Sequence, residues 1–312
     1  MDFFNGNTSG AFGSYPLRLR FAWIDVGPFL VGQAASLFMD YDVFPNVLDY
    51  EGPPGMVLMR QAIVAYRAQL AENLKLSVGL EQPYSDIQWM DGGGTVINPG
   101  TGIITQDGVA KNVQRLPDLT GNIKHTGDYG HAQAAGILRQ LTYQSADEQQ
   151  FHETGYGVNL TGSFHPWAFL HGVKTSAEDR SPLDKSRFLG QYAYGRGISR
   201  YIQDINGLGL DAAADTNNVF RALHATGWFL AYEHWWTDKL ASNFTYGEAR
   251  VDLPTTLPDS TYKSASYVTA NLVWLPVKRL GLGVEVLYGT RENKDGEKGK
   301  GFRVQTGVQY KF

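Results

Sequence analysis

Phe302-Arg303-Val304-Gln305-Thr306-Gly307-Val308-Gln309-Tyr310-Lys311-Phe312 is the stretch that decides the fold. It alternates strictly. Phe302, Val304, Thr306, Val308, Tyr310 and Phe312 fall on one face, and Arg303, Gln305, Gly307, Gln309 and Lys311 on the other. Period two over this length predicts a β-strand with one apolar and one polar face. The apolar face needs cover. A soluble sheet would supply a second sheet or helices, whereas lipid covers such a face in a transmembrane barrel, whose lumen takes the polar side.

Working back from that strand, roughly thirteen runs read as strands. They span residues 17–25, 29–39, 56–71, 74–81, 118–125, 130–143, 155–164, 185–196, 221–233, 240–251, 266–274, 280–291 and 302–312. Their connections alternate in length. Short ones fall at Val26-Gly27-Pro28, Glu72-Asn73, Gly127-Asp128, near Trp236 to Asp238, and at Pro276 to Lys278. Long ones span residues 40–55, 82–117, 144–154, 201–220, 254–262 and 292–301. An up-and-down transmembrane barrel sorts its loops this way, with short periplasmic turns and long outer loops. The stretch 165–184 breaks the rule by being long on the short side, and reads as a strand extension through Trp167 to Leu170 before a larger turn. The predicted fold is therefore all-β: a transmembrane antiparallel up-and-down barrel, one domain over residues 1–312, with a polar interior and no separate packed core.

Composition agrees. Of 312 residues, 36 are Gly, 17 Tyr, 16 Phe and 7 Trp, the mixture that barrels use in strands, turns and interfacial girdles. Cysteine is absent, which removes disulfides, iron–sulfur ligation and thiol chemistry. The mean hydropathy of -0.28 argues against a helical membrane protein but not against a barrel, half of whose strand residues face water. The longest apolar stretch, 29–39, falls well short of the roughly 20 residues a spanning helix needs. A net charge of -4 excludes a strongly basic nucleic-acid binder. Residues 1–6 lack the charged and apolar regions of a signal peptide. Thirteen is odd, and bacterial single-chain barrels are even. The expectation is a chain that lacks N-terminal strands and a signal peptide.

An ordered series of blocks resembles one family. The blocks include Leu17-Arg18-Leu19-Arg20, Phe29-Leu30-Val31-Gly32-Gln33, Gly55-Met56-Val57-Leu58-Met59-Arg60-Gln61 and Gly136-Ile137-Leu138-Arg139-Gln140-Leu141. Further along come Gly197-Ile198-Ser199-Arg200-Tyr201-Ile202, Tyr232-Glu233-His234-Trp235-Trp236 and residues 283–293. Together they resemble the DcaP-like porins of Gram-negative and planctomycete outer membranes. The resemblance implies a sixteen-stranded homotrimer in the bacterial outer membrane, in contact with lipid and lipopolysaccharide. It also implies passage of small hydrophilic solutes, with a leaning to anionic carboxylates.

With apolar faces toward lipid, Arg18, Arg20, Gln61, Arg67, Lys75, Lys124, Gln133, Arg139, Arg187, Gln191, Arg303 and Lys311 point inward. Few inward carboxylates oppose them, chiefly Glu81 and Glu285. The acids sit in predicted outer loops instead, at Asp40, Asp42, Asp49, Glu51, Asp147, Glu148, Asp211 and Asp215. Inward Arg and Lys favour anions, and the planar Arg fork suits carboxylates. The competing reading is that these cations pair with local carboxylates. The longest loop, 82–117, is predicted to lid the lumen, with Lys111 and Arg115 as solute contacts. Trp167, Trp235, Trp236, Trp274, Tyr143 and Tyr310 are predicted to form the periplasmic interfacial belt. Catalytic and metal motifs fail: no HExxH spacing, no GxSxG, and a calcium-like start at Asp204 in which Leu208 occupies a ligand position. Neither a cofactor nor an enzymatic role is expected. The alternative from another class is a soluble all-β carbohydrate-binding or sugar-active protein.

Overall fold

The computed structural model describes residues 2–3, 17–90, 96–97, 111–112, 114–144, 150–214 and 220–311. Thirteen strands follow one another in a single antiparallel sheet, each paired with its neighbours in chain order. They are β1 (Ala22–Val26), β2 (Phe29–Ala35), β3 (Arg60–Ala71), β4 (Leu74–Glu81), β5 (Asp118–Gly127), β6 (Gly130–Gln144) and β7 (Gln150–Phe164). The sheet continues with β8 (Arg187–Arg196), β9 (His224–Thr237), β10 (Leu240–Val251), β11 (Tyr262–Val277), β12 (Leu280–Asn293) and β13 (Lys298–Tyr310). Residues 2–3 pair with 17–18 outside this sheet. The sheet is not closed among the described residues: β1 and β13 are its two edges.

Alternation along each strand sorts the wall into two faces. On β13, Phe302, Val304, Val308 and Tyr310 are all more than half exposed. Val64, Leu80, Leu138, Tyr156, Val158, Leu160, Leu230, Phe244, Val268 and Val286 stand on the same outer face and are likewise exposed. No second sheet covers this face among the described residues, and helix reaches it only at the rim beside the short turns. In water so continuous an apolar surface would drive association. The soluble alternative therefore loses its footing, since it required that cover.

Two expectations need correction. The first is the absence of a packed core. The inner face carries Phe38, Met39, Val57, Ile198, Tyr201, Ile202, Ile205 and Leu210, packed with the wall's Ile137, Ala193, Ala225, Ala249 and Val251. Two segments, 36–59 and 197–211, contribute most of these side chains; they take in the predicted outer loop 40–55 and the start of 201–220, together with residues 36–39 and 56–59 that read as strand ends. Their apolar residues draw them inside. The second concerns the stretch after β7. It is no strand extension but two short helices, α1 (Pro166–His171) and α2 (Pro182–Lys185). Pro at the first turn, a Gly172 C-cap at φ 67° and the Ser181–Asp184 capping box explain both.

The aromatic belt also needs one revision. Trp236, Trp274 and Tyr310 are exposed near the short turns. Tyr143 instead lies at the long-loop end of β6, fully buried against Leu141 and Phe220. Trp235 is half-buried, with the Lys185 ammonium 5.8 Å from its ring centre.

Candidate functional site

The segment 36–59 crosses the inner face of the wall as a strap. Its two ends meet where the Ser36 N–H donates to the Met59 carbonyl at 3.0 Å. A buried backbone must satisfy its polar groups, and here the wall's inward side chains do so. On β4, Glu81 accepts from Leu37 N–H at 2.9 Å and from the Ser36 hydroxyl at 3.1 Å. Asn122 on β5 donates to the Leu37 carbonyl, Gln133 on β6 to Met39, and Asn159 on β7 to Phe38. Gln191 on β8 both donates to the Gly55 carbonyl, at 2.8 Å, and accepts from Val57 N–H, at 3.1 Å. Glu233 on β9 accepts from Asn46 N–H. On β11, Asn271 donates to the Asn46 carbonyl, and on β12 Glu285 accepts from Leu48 and Asp49 N–H at 2.8 and 3.1 Å. These residues form a rail across the wall. Glycine permits the close approach: a Cβ on Gly55 would lie 2.2 Å from the Trp228 nitrogen and 2.3 Å from the Glu248 oxygen.

The second inner segment, 197–211, lies against the strap, with Leu58 N–H donating to Tyr201 and Gln203 N–H to Met56. Between it and the wall sits a sealed ionic network. Arg139 on β6 pairs with Asp118 at 2.9 Å and Asp211 at 3.0 Å, and its side chain is 0% exposed. Tyr201 donates to the same Asp118 oxygen at 2.8 Å, and Arg200 donates to Gln61 at 2.6 Å. Asp86, just after β4, accepts from Gly207 N–H through one oxygen while the other has no partner. Burial and the neighbouring Asp211 push its carboxyl up to about 6.

Arg67, Lys75, Lys124, Arg139, Arg187 and Arg303 share the strand parity of the buried inner face, but most have partners. Lys124 bridges Asp40 at 2.8 Å and Asp42 at 2.6 Å; Arg187 meets Glu233 at 2.7 Å and Arg303 meets Asp49 at 3.0 Å; Arg67 pairs with Asp25. Arg139 and Glu285 are buried and touch no open lumen. Each is corrected from a solute contact to an internal anchor, because the strap and the second segment cover them. Lys75 is exposed and forms no ion pair among the described residues. The side chain of Arg18 lies outside the described residues, as does that of Lys111; Arg115 is exposed. The acids Asp40 and Asp211 are not outer-loop charges either, being 3% and 0% exposed inside the wall.

What stays open is a cavity of about 800 Å³ on the far side of the strap. The chain just before β1 contributes Leu19 and Arg20, β2 Gln33, the last strand Gly307 and Gln309, and the strap Tyr41, Phe44, Asn46, Asp49, Tyr50 and Glu51. Both ends of the sheet thus border one space, which requires the wall to curve around it. Arg60 joins Arg20 there, donating to the Tyr41 hydroxyl at 2.7 Å with its guanidinium 5.5 Å from the Phe21 ring centre. The sequence reading missed both the strap and Arg60. The signal was present: the supposed outer loop 40–55 and the predicted strand ends beside it hold Phe38, Met39, Val43, Phe44, Met56 and Val57, too many apolar residues for water. Of the loop 82–117, residues 91–95, 98–110 and 113 lie outside the described residues, while Ser85, Asp86 and Ile87 turn into the interior.

One group of side chains has metal-ligand composition. Asp40, Asp42 and His131 bring one ligand atom each within 4.8 Å of one another. The Lys124 ammonium bridges both carboxylates and offsets one of their two charges, and His131 bonds Asp40 and Ser163 at 2.8 Å each. Burial works against the Asp40 charge, but hydrogen bonds from His131, Lys124 and Thr161 outweigh it and hold the carboxyl below its usual range.

Residues 1–119 match the family model of the DcaP outer membrane protein, as the sequence blocks implied. The outer membrane channel DcaP of Acinetobacter baumannii superposes at a TM-score of 0.75 with 22% identity, over 99% of this chain and 78% of that one; the two share a fold. A porin solved at 1.8 Å gives 0.47 at 10% identity over 91% and 77% of the two chains. In-vitro folded OmpT of Vibrio cholerae gives 0.45 at 12% identity over 90% and 75%. Neither of these last two carries weight here. No curated protein matches the chain.

Proposed function

We propose that the chain is the wall and inner strap of an outer-membrane diffusion channel for small hydrophilic solutes, with a preference for anionic carboxylates. The observation that carries the reading is the cavity of about 800 Å³ left between the strap and the curved wall. An apolar exterior with a polar, partly filled interior suits a lipid-embedded pore. The strap sets the width of the path. Arg20 and Arg60 stand at the cavity, and Arg guanidinium groups hold carboxylates in a two-pronged grip. Asp49 and Glu51 oppose them, so any selectivity is modest and local. The family resemblance adds a homotrimer surrounded by lipid and lipopolysaccharide, with no nucleic-acid partner and no catalytic step.

Reversal potentials across planar bilayers, measured in a salt gradient on the full-length protein, test this. The expected sign is anion-preferring, and Arg20→Ser with Arg60→Ser shifts it toward zero. A cation preference in the unaltered protein would refute the carboxylate reading and leave only the channel.

A further inference from the structure

The short helix α1 stands on the outer face of the wall, not inside it. Its Phe169 ring lies 5.8 Å from Phe164 and 5.3 Å from Tyr129, centre to centre. Phe164 belongs to the lipid-facing set of β7, and Trp167 donates its indole N–H at 3.0 Å to Tyr232, on the lipid-facing parity of β9. The ladder aligns Phe164 with Phe188, Phe188 with Tyr232, and Tyr232 with Phe244. These four aromatics form one horizontal row across β7 to β10, close to the short turns. The helix lies along this row and turns Ala168 inward at 0% exposure. It leaves Phe169 55% and Leu170 68% exposed, with nothing packed over them among the described residues.

We infer that α1 is an interfacial anchor, with Phe169 and Leu170 seated at the headgroup–acyl boundary of the periplasmic leaflet. The occupant follows from continuity. The row on which the helix lies belongs to the outward-facing apolar set of the wall, and short turns mark the periplasmic side of an outer-membrane barrel. Aromatic side chains favour that level, and an amphipathic helix lies in the plane with its apolar face a few ångströms deep. The backbone supports the placement. Phe169 N–H donates to His165, Val173 N–H to Ala168, and the Gly172 C-cap N–H to Phe169, so the carbonyls at the end of this turn are satisfied within the chain. The hydrogen bond from Thr175 N–H to the Asp128 carbonyl then returns the chain to the turn between β5 and β6. A second copy of the chain covering the same two side chains is the competing occupant.

The chain has no cysteine, so single cysteines can be introduced and labelled one at a time with an environment-sensitive fluorophore. The labelled positions are Leu170→Cys on the helix, Ser176→Cys on the exposed connection, and Leu160→Cys on the lipid face of β7. Each full-length variant is reconstituted in phosphatidylethanolamine–phosphatidylglycerol vesicles bearing shallow or deep spin-labelled lipids. Leu160 reports whether the wall is in lipid at all, since the inference rests on the channel reading. Expected is deep quenching at 160, shallow quenching at 170 by about twofold or more over the deep quencher, and aqueous iodide quenching alone at 176. Quenching at 160 with iodide-only quenching at 170 overturns the anchor and keeps the wall. Shielding of 170 from lipid and iodide alike, with disulfide cross-linking between copies, assigns the helix to a subunit contact and also overturns it. Loss of lipid quenching at 160 overturns the channel reading itself. Phe169→Cys repeats the measurement should Leu170→Cys fail to insert.

Discussion

Replacing Glu285 with Ala tests whether the wall holds the strap. Glu285 is 1% exposed and accepts from Leu48 and Asp49 N–H, from Asn271 at 3.1 Å and from Gln305 at 2.7 Å. Asn271 and Gln305 are side chains that can turn to other acceptors. The two backbone donors cannot; they are half-buried, and each stranded N–H costs at most about 1–3 kcal/mol. The loss is thus at most about 2–6 kcal/mol, set against the release of the middle of the strap rather than against the whole wall. The half-exposed Arg303–Asp49 pair cannot hold that stretch, since such pairs contribute about 0–1 kcal/mol. Residues 46–52 should leave the wall and swing into the cavity or out of it. Two assays read this: limited proteolysis of the strap in folded protein, and single-channel conductance with its open-state noise. Glu285→Gln keeps one accepting oxygen and should show about half the effect. If Glu285→Ala matches the unaltered protein in both protease resistance and current noise, the rail does not fasten the strap and the argument fails.

Gly55→Ala should act on the same element by another route, because its methyl would press on the Trp228 and Glu248 backbone; expected are overpacking of about 1–3 kcal/mol or more, faster cleavage between residues 44 and 56, and a changed conductance. Arg139→Met should cost about 3–5 kcal/mol by leaving Asp118 and Asp211 buried without their partner, read as a lower unfolding midpoint on heat-shifted gels, while ion selectivity in channels that still form stays the same. Asp86 should make the interior pH-sensitive. Its folded carboxyl titrates near 6 against an ordinary 3.8, so the stability it permits is complete below about pH 4 and is lost as pH rises through 6. The difference is about 3 kcal/mol. Asp86→Asn should raise amide protection of residues 199–211 at pH 7.5 and flatten its pH dependence; an unchanged slope would assign that dependence elsewhere. Asp40 has the opposite sign: its carboxyl is held low, so its contribution is present above pH 4 and disappears only in stronger acid, and Asp40→Asn at pH 7 should loosen the strap.

The wall was legible from sequence because its cause is local. Period two forces alternate side chains to opposite faces, so Phe302, Val304, Val308 and Tyr310 had to share one environment and Arg303 and Gln305 the other. The thirteen strands and their order needed nothing more than that alternation and the length of the connections. Facing could be read in the same way, and Arg139, Arg187 and Glu285 do point inward. What they meet there could not be read. Leu48 and Glu285 are 237 positions apart, and Arg200 finds Gln61 across 139. No periodicity links such residues. Only the folded chain decided that residues 36–59 lie inside, because burying Phe38, Val43 and Met56 against the wall outweighs leaving them in water once Glu81, Gln191, Glu233 and Glu285 satisfy the strap's amides and carbonyls. That one choice gave Lys124 and Arg303 partners in the strap, Asp40 and Asp49, and left the open cavity to Arg20 and Arg60.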